Sequence, residues 1–248
     1  KGLSMTNSKP ERFYDALIIG AGFSGLQQLH YLRDKLGMRV LLLEAADGVG
    51  GTWYWNRYPG ARCDSESHTY CFYFSDELLK EWKWSERYPS QKEIIKYLNF
   101  VTDRLDLRSN IRLKTRVLEL FYSDKKKSWL SVCEDGDKFR SQFVISAVGC
   151  LSATNYPSIP GRDNFKGEVY HTGSWPHRDI YFEGKNVGIV GTGSSGIQAI
   201  PIIAETATKL TVFQRTPNYS IPARNTALKE KFFDEFKQNI THLGLRCA

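Results

Sequence analysis

No stretch of this chain approaches the roughly 18 consecutive apolar residues that a membrane-spanning helix requires. The opening Lys1-Gly2-Leu3-Ser4-Met5 lacks the apolar core of a secretory signal, so a cytoplasmic location is expected, without a membrane partner. Cysteine is sparse and odd in number. Cys63, Cys71, Cys133, Cys150 and Cys247 include no Cys-x-x-Cys pair, which argues against a disulfide framework, a zinc site, and a flavoprotein reductase that works through a dithiol. No metal is expected. Long runs of one charge are also missing: the formal net charge is +7, yet Lys125-Lys126-Lys127 is the one short basic cluster and reads as a hairpin turn. Nucleic acid is therefore not an expected partner. With 248 residues, 41% hydrophobic and 25% charged, the chain can bury one large core or two modest ones.

What is present is one phosphate-cradling pattern, twice. Gly20-Ala21-Gly22-Phe23-Ser24-Gly25 follows the apolar run Asp15-Ala16-Leu17-Ile18-Ile19, and Gly191-Thr192-Gly193-Ser194-Ser195-Gly196 follows Asn186-Val187-Gly188-Ile189-Val190. Each cluster thus sits at a strand-to-helix turn. There the first two glycines allow a tight turn and close approach to a pyrophosphate, the third allows close helix packing, and the helix start offers free N–H groups. One such hexapeptide is a weak signal; two in the required context are a strong one.

The residues that follow separate the two ligands. After the first cluster, the run Arg39–Leu43 ends on Glu44, about 20 residues on, where a carboxylate accepts hydrogen bonds from the ribose hydroxyls and repels a ribose phosphate. After the second, Lys209–Phe213 ends on Gln214-Arg215-Thr216, so the acid is gone and a guanidinium suited to a 2′-phosphate stands nearby. The first site reads as FAD, the second as NADPH. The plainer alternatives are a solvated strand-end carboxylate for Glu44 and a surface arginine for Arg215. Thr192, Ser194 and Ser195 can donate hydroxyl bonds to the NADPH pyrophosphate, or one serine can cap the helix.

The expected fold class is α/β, with two Rossmann-like, doubly wound parallel-sheet dinucleotide-binding domains, the second incomplete. A flexible tail covers 1–12, an FAD-binding domain 13–150, a linker and the start of an NADPH-binding domain 151–225, and a helical segment 226–248. Leu26, Leu29, Leu32 and Leu36 lie at helical spacing. A helix is expected over 91–105, and strands near 111–121, 129–133 and 139–147, with Gly149 a hinge candidate. Residues 53–88 concentrate a third of the aromatics, either a packed insertion or the wall of a ring-binding pocket. Asn155–Gly161 is rich in turn formers and reads as the interdomain linker, Thr216–Asn225 as a loop, and Ala227–Ile240 as a charged helix.

Two longer strings carry a resemblance. Gly50-Gly51-Thr52-Trp53-Tyr54-Trp55-Asn56-Arg57-Tyr58-Pro59-Gly60-Ala61-Arg62-Cys63-Asp64 resembles the flavin-proximal signature of type I Baeyer–Villiger monooxygenases. Phe165-Lys166-Gly167-Glu168-Val169-Tyr170-His171-Thr172-Gly173-Ser174-Trp175-Pro176 is similar to that family's second signature. The match runs from about residue 13 to about 225 and is closest to the phenylacetone and cyclohexanone monooxygenase group. It implies that NADPH reduces FAD, that O2 adds at the flavin C4a carbon, and that the deprotonated peroxide converts a small-molecule ketone to an ester or lactone. Gly51, Thr52 and Trp53 are then further FAD-site residues. By the same resemblance, Asp64 stands at the position of the carboxylate that orients the family's catalytic arginine. His171 ties the interdomain linkers together in a conformational role, with a satisfied buried histidine as the plainer alternative. Trp175 packs beneath the linker.

The resemblance also implies that the family's peroxide-stabilising arginine lies past the end of this sequence, so that the chain is either a fragment or a truncated relative. Arg57 and Arg62 are the nearby alternative sources of charge. Other functions stay open beside the leading one: a sulfur- or nitrogen-oxygenating flavin monooxygenase, a flavin binder without oxygenase activity, and a structural module. Oligomeric state is not legible in the sequence.

Overall fold

The structure, a computed structural model, describes residues 12–230 and 232. Cys247 and most of the helix expected over 227–240 lie outside the described residues. The chain divides into two compact units. One holds the described residues up to Tyr54 together with Leu98–Cys150, the other Trp55–Tyr97 with the described residues from Leu151 onward. The aromatic segment from Trp55 on thus belongs to the second unit.

The first unit is built on six strands: β1 (Arg12–Ile19), β2 (Val40–Leu43), β3 (Ile111–Arg112), β4 (Val117–Ser123), β5 (Ser128–Cys133) and β6 (Lys138–Ser146). They lie side by side in the order β3-β2-β1-β6-β5-β4. β1 pairs in parallel with both β2 and β6, and β2 with β3, whereas β4, β5 and β6 form an antiparallel meander. Parallel strands covered on both faces need near-continuous apolar runs, and Ala16, Leu17, Ile18 and Leu42 are wholly buried. Leu17, Leu43, Cys133 and Phe139 form one core cluster across the sheet. The meander has an exposed side, where Leu118 is 58% accessible.

Two expectations need correction. The segment 111–121 is two strands, because Lys114 takes a left-handed φ of +51° and donates its N–H to the Ala46 carbonyl at 2.8 Å, which turns the chain between β3 and β4. The leucine stripe after the first glycine turn is also shorter than its spacing implies. Helix α1 (Phe23–His30) widens into a π turn over Tyr31–Lys35, and the changed rotation per residue takes Leu36 off the buried face. Leu26 and Leu29 are buried, while Leu36 is 54% exposed.

The short turn α2 (Thr52–Trp55) leads toward α3 (Asp76–Glu81), whose start is capped by Ser75 accepting the Leu78 N–H at 3.3 Å. Helix α4 (Gln91–Arg104) follows close to the expected span. Around Tyr97 the aromatics pack on one another: Trp84 lies 4.9 Å, Trp82 5.3 Å and Phe72 6.0 Å from its ring centre. Phe72, Trp84 and Tyr97 are buried, so this part of the segment is a packed insertion. Farther along, β7 (Asn186–Val190), α5 (Ser194–Ala204) and β8 (Lys209–Phe213) form one parallel crossover. Its core is Tyr58, Ala61, Ala199 and Ile203, with Trp175 packed against them.

Leu42→Ala removes a fully buried side chain and should cost about 2–5 kcal/mol in denaturant unfolding. Leu118→Ala, on the exposed side of the meander, should stay within about 0.5 kcal/mol of the parent.

Candidate dinucleotide-binding turns

The two glycine turns, each within its own unit, share an internal build. Gly20 stands at φ +105°, and a Cβ on Gly25 would fall 1.9 Å from the Gly20 carbonyl oxygen. Gly191 stands at φ +99°, and a Cβ on Gly196 would fall 2.6 Å from the Gly191 oxygen. The outer glycines are therefore imposed by the protein's own backbone. The middle ones are not. Gly22 and Gly193 have φ of −84° and −70°, open to any residue, and a Cβ on Gly193 would meet nothing within 4 Å. A glycine that neither conformation nor packing demands leaves space for something outside the chain to approach its backbone, as a phosphate does.

Neither α1 nor α5 has a side-chain cap at its start, where Gly22 and Gly193 are the N-cap residues. The free N–H groups and the positive end of each helix thus face outward for an anion. A capping role for Ser194 or Ser195 is overturned, since both stand inside the first turn of α5. Their hydroxyls, like that of Ser24, have no hydrogen-bond partner among the described residues. Phe23 begins α1, and Gly51 packs back on the first turn: its Cβ would lie 2.8 Å from Gly22 Cα. Thr52 and Trp53 continue into α2, with the Trp53 N–H on the Gly50 carbonyl at 3.1 Å.

At the end of each first strand pair, a side chain reaches back to the second residue of the glycine turn. Glu44 Oε2 accepts the Ala21 N–H at 2.6 Å and its Oε1 accepts the Ala46 N–H at 2.8 Å. Glu44 is 5% exposed, so it is not a solvated strand-end carboxylate, and each oxygen keeps a lone pair for a further donor. In the second turn Gln214 Nε2 donates to Thr192 Oγ1 at 2.8 Å, and Asn218 Nδ2 donates to the Thr192 carbonyl at 2.7 Å. The Thr192 hydroxyl proton remains available. Arg215 and Thr216, next along the chain, are exposed and have no partner among the described residues.

The two residues expected to take part in chemistry lie in the second unit. Asp64 is exposed, and its carboxylate has no hydrogen-bond partner among the described residues. His171 Nδ1 accepts the Gly173 N–H at 3.0 Å, and its ring lies 4.8 Å from that of Tyr156. That nitrogen is committed to the turn Thr172–Ser174. Trp175 lies 5.4 Å from the Tyr170 ring and packs on the α5 cluster. The four described cysteines are free. Burial pushes the Cys71 thiol up to about 12 and that of Cys133 to about 11, and raises Cys63 as well. A protonated thiol is not a nucleophile, so these three are not suited to dithiol chemistry.

Comparison with known proteins places this geometry. The pyridine nucleotide-disulphide oxidoreductase family matches residues 17–243. The chain belongs to that family. Within it, the chain is 43% identical over 235 residues to a phenazine N-monooxygenase of Lysobacter antibioticus, covering 94% of this chain and 43% of the relative. It is 43% identical over 226 residues to a cyclohexanone 1,2-monooxygenase of an Acinetobacter species, covering 91% and 41%. A steroid monooxygenase structure bound to NADP superposes with a TM-score of 0.88 at 49% identity, covering 93% of this chain and 44% of that one. The chain is thus homologous to Baeyer–Villiger and related flavin monooxygenases and spans less than half the length of these relatives. The α/β, Rossmann-type reading of the sequence holds. Among the described residues no helix is long and apolar enough to cross a membrane.

Sequence reasoning passed over Asn218 and Gln198, and gave Gln214 no part beyond marking where the acid is missing. The position of Gln214, equivalent to that of Glu44, is the signal that points to its bracing part. No local pattern announces the other two.

Gly193→Ala should leave thermal stability nearly unchanged yet weaken dinucleotide binding by roughly tenfold or more, a loss of about 1.4 kcal/mol per decade. Gly196→Ala should instead lower stability by about 1–3 kcal/mol through overpacking. Thermal unfolding and nucleotide titration of the two variants separate these outcomes.

Proposed function

We propose that the protein is a Baeyer–Villiger monooxygenase that binds FAD at the Gly20–Gly25 turn and NADPH at the Gly191–Gly196 turn. The observation that carries this is the contrast between the strand ends: a buried carboxylate, Glu44, bonded to the first turn, and an exposed guanidinium, Arg215, with no partner among the described residues, beside the second. The middle glycines and uncapped helix starts fit a pyrophosphate at each turn. On this reading 13–150 serves the flavin and 151–225 begins the NADPH-binding part.

In that assignment Gly20, Gly22, Phe23, Ser24 and Gly25 take the FAD pyrophosphate, Glu44 the adenosine ribose, and Gly51, Thr52 and Trp53 line the same cofactor's site. Thr192, Ser194 and Ser195 donate hydroxyl bonds to the NADPH pyrophosphate, while Arg215 and Thr216 take its 2′-phosphate. Bound FAD, once reduced by NADPH, supplies the centre at which O2 is activated. The chain's part is to place and shield. Asp64, whose carboxylate has no hydrogen-bond partner among the described residues, is available to hold a cation near the reacting atoms. His171, locked by Gly173, keeps the linker turn in shape. The substrate class is a small ketone.

Nitrogen or sulfur oxygenation is the second reading, favoured by the phenazine N-monooxygenase standing at the same identity as the ketone-oxidising relative.

The purified intact protein should show flavin absorption bands near one equivalent, bleached by NADPH. Colourless protein that takes up no FAD would overturn the proposal. Arg215→Ala should raise KM for NADPH roughly tenfold or more, the worth of a charged hydrogen bond, with little change for NADH. A product ratio between ketone and amine or sulfide substrates that shifts toward ester as pH rises supports the ketone reading.

A further inference from the structure

Gln198 lies in α5, two residues beyond the third glycine of the second turn, and makes three hydrogen bonds to one loop of the flavin-proximal signature. Its Oε1 accepts the Tyr58 hydroxyl at 2.8 Å and the Arg62 N–H at 3.3 Å, and its Nε2 donates to the Arg62 carbonyl at 3.1 Å. One amide side chain thereby pairs with both backbone groups of Arg62, as a neighbouring strand would. The loop lies directly on the helix: a Cβ on Gly60 would fall 2.2 Å from the Gln198 carbonyl oxygen and 3.0 Å from Ile202 Cγ1. Beneath it Tyr58 and Ala61 pack on Ala199 and Ile203. On its far side Arg62 pairs with Glu86 at 3.0 Å, and the Cys63 N–H donates to the Pro89 carbonyl at 3.0 Å. Asp64 follows Cys63, and among the described residues its carboxylate has no such anchor.

Most of these contacts are apolar or backbone and would hold the loop on any helix face. Gln198 differs, because its amide fixes the register of the loop along α5. A shift by one residue would leave the part-buried Arg62 N–H and carbonyl, and the Gln198 amide, without these partners.

We infer that Gln198 is a positioning residue: it locks the segment ending in Asp64 to the helix whose first turn receives NADPH, so that the carboxylate and the dinucleotide keep a fixed relation. This rests on the function proposed above. Gln198 acts through Arg62 and Asp64, and a small displacement of a group near reacting atoms costs roughly ten- to a hundredfold in rate.

The test uses the intact protein and the isosteric variant Gln198→Met, which keeps volume and removes all three bonds. Two readouts are taken: hydrogen exchange at the Arg62 amide, and stopped-flow reduction of bound FAD by NADPH with its rate and apparent Kd separated. The inference expects faster exchange at Arg62, a reduction rate at least tenfold lower, and a Kd for NADPH within about twofold of the parent. Gln198→Glu, which keeps the acceptor but not the donor to the Arg62 carbonyl, should fall between the two. A loosened Arg62 with an unchanged rate overturns the inference, as does a slower rate with Arg62 protected as before. A variant whose only change is a lower Tm overturns it too. If the unaltered protein holds FAD that NADPH does not reduce, the proposed function itself fails and takes the role of Gln198 with it.

Discussion

A turn made mostly of glycine has little of its own to hold it in one shape, since each such residue gives up more conformational freedom on folding than any other. Here the constraint is supplied from the end of the next strand. Glu44 reaches from β2 to the Ala21 N–H, and Gln214 reaches from β8 to the Thr192 hydroxyl. These two short tethers keep the start of α1 and of α5 open and aimed outward. Without them the uncapped N–H groups would have no fixed direction in which to receive a phosphate.

The tethers solve one problem with opposite electrostatics. A carboxylate held by two backbone N–H groups leaves negative charge beside the first turn, where it suits ribose hydroxyls. A neutral amide in the equivalent position of the second turn leaves no negative charge there, and the next residue, Arg215, brings a positive one. The choice between an acid and an amide at one strand end thus alters both the bracing bond and the sign of the neighbouring field. In the first turn the donor is backbone and the side chain accepts. In the second the side chain donates, and the acceptor is the Thr192 hydroxyl.

Much of this was legible because its causes are local. Apolar runs followed by glycine at fixed offsets announced β1, β7 and both turns, and turn formers announced the irregular stretch from 155 to 161. The span of α4 lies close to the 91–105 expected. What the sequence hid was decided at a distance. Lys114 interrupts an alternating pattern by adopting a backbone angle that no composition signals, so one expected strand became two. The π turn after α1 changed the helical register within a leucine stripe whose spacing was otherwise regular. The grouping of residues 55–97 with the second unit, and the grip of Gln198 on Arg62, depend on tertiary contacts between segments more than 100 residues apart in sequence.

The buried thiols carry one more consequence. Flavin chemistry with O2 releases hydrogen peroxide whenever an oxygen atom fails to reach its acceptor, and cysteine is converted to sulfenic acid in proportion to its thiolate fraction. Cys63, Cys71 and Cys133, with ionisation pushed upward by burial, offer that oxidant very little to attack. Enclosure within the fold thus shields these three thiols from such an oxidant, whereas the free Cys150 stays exposed.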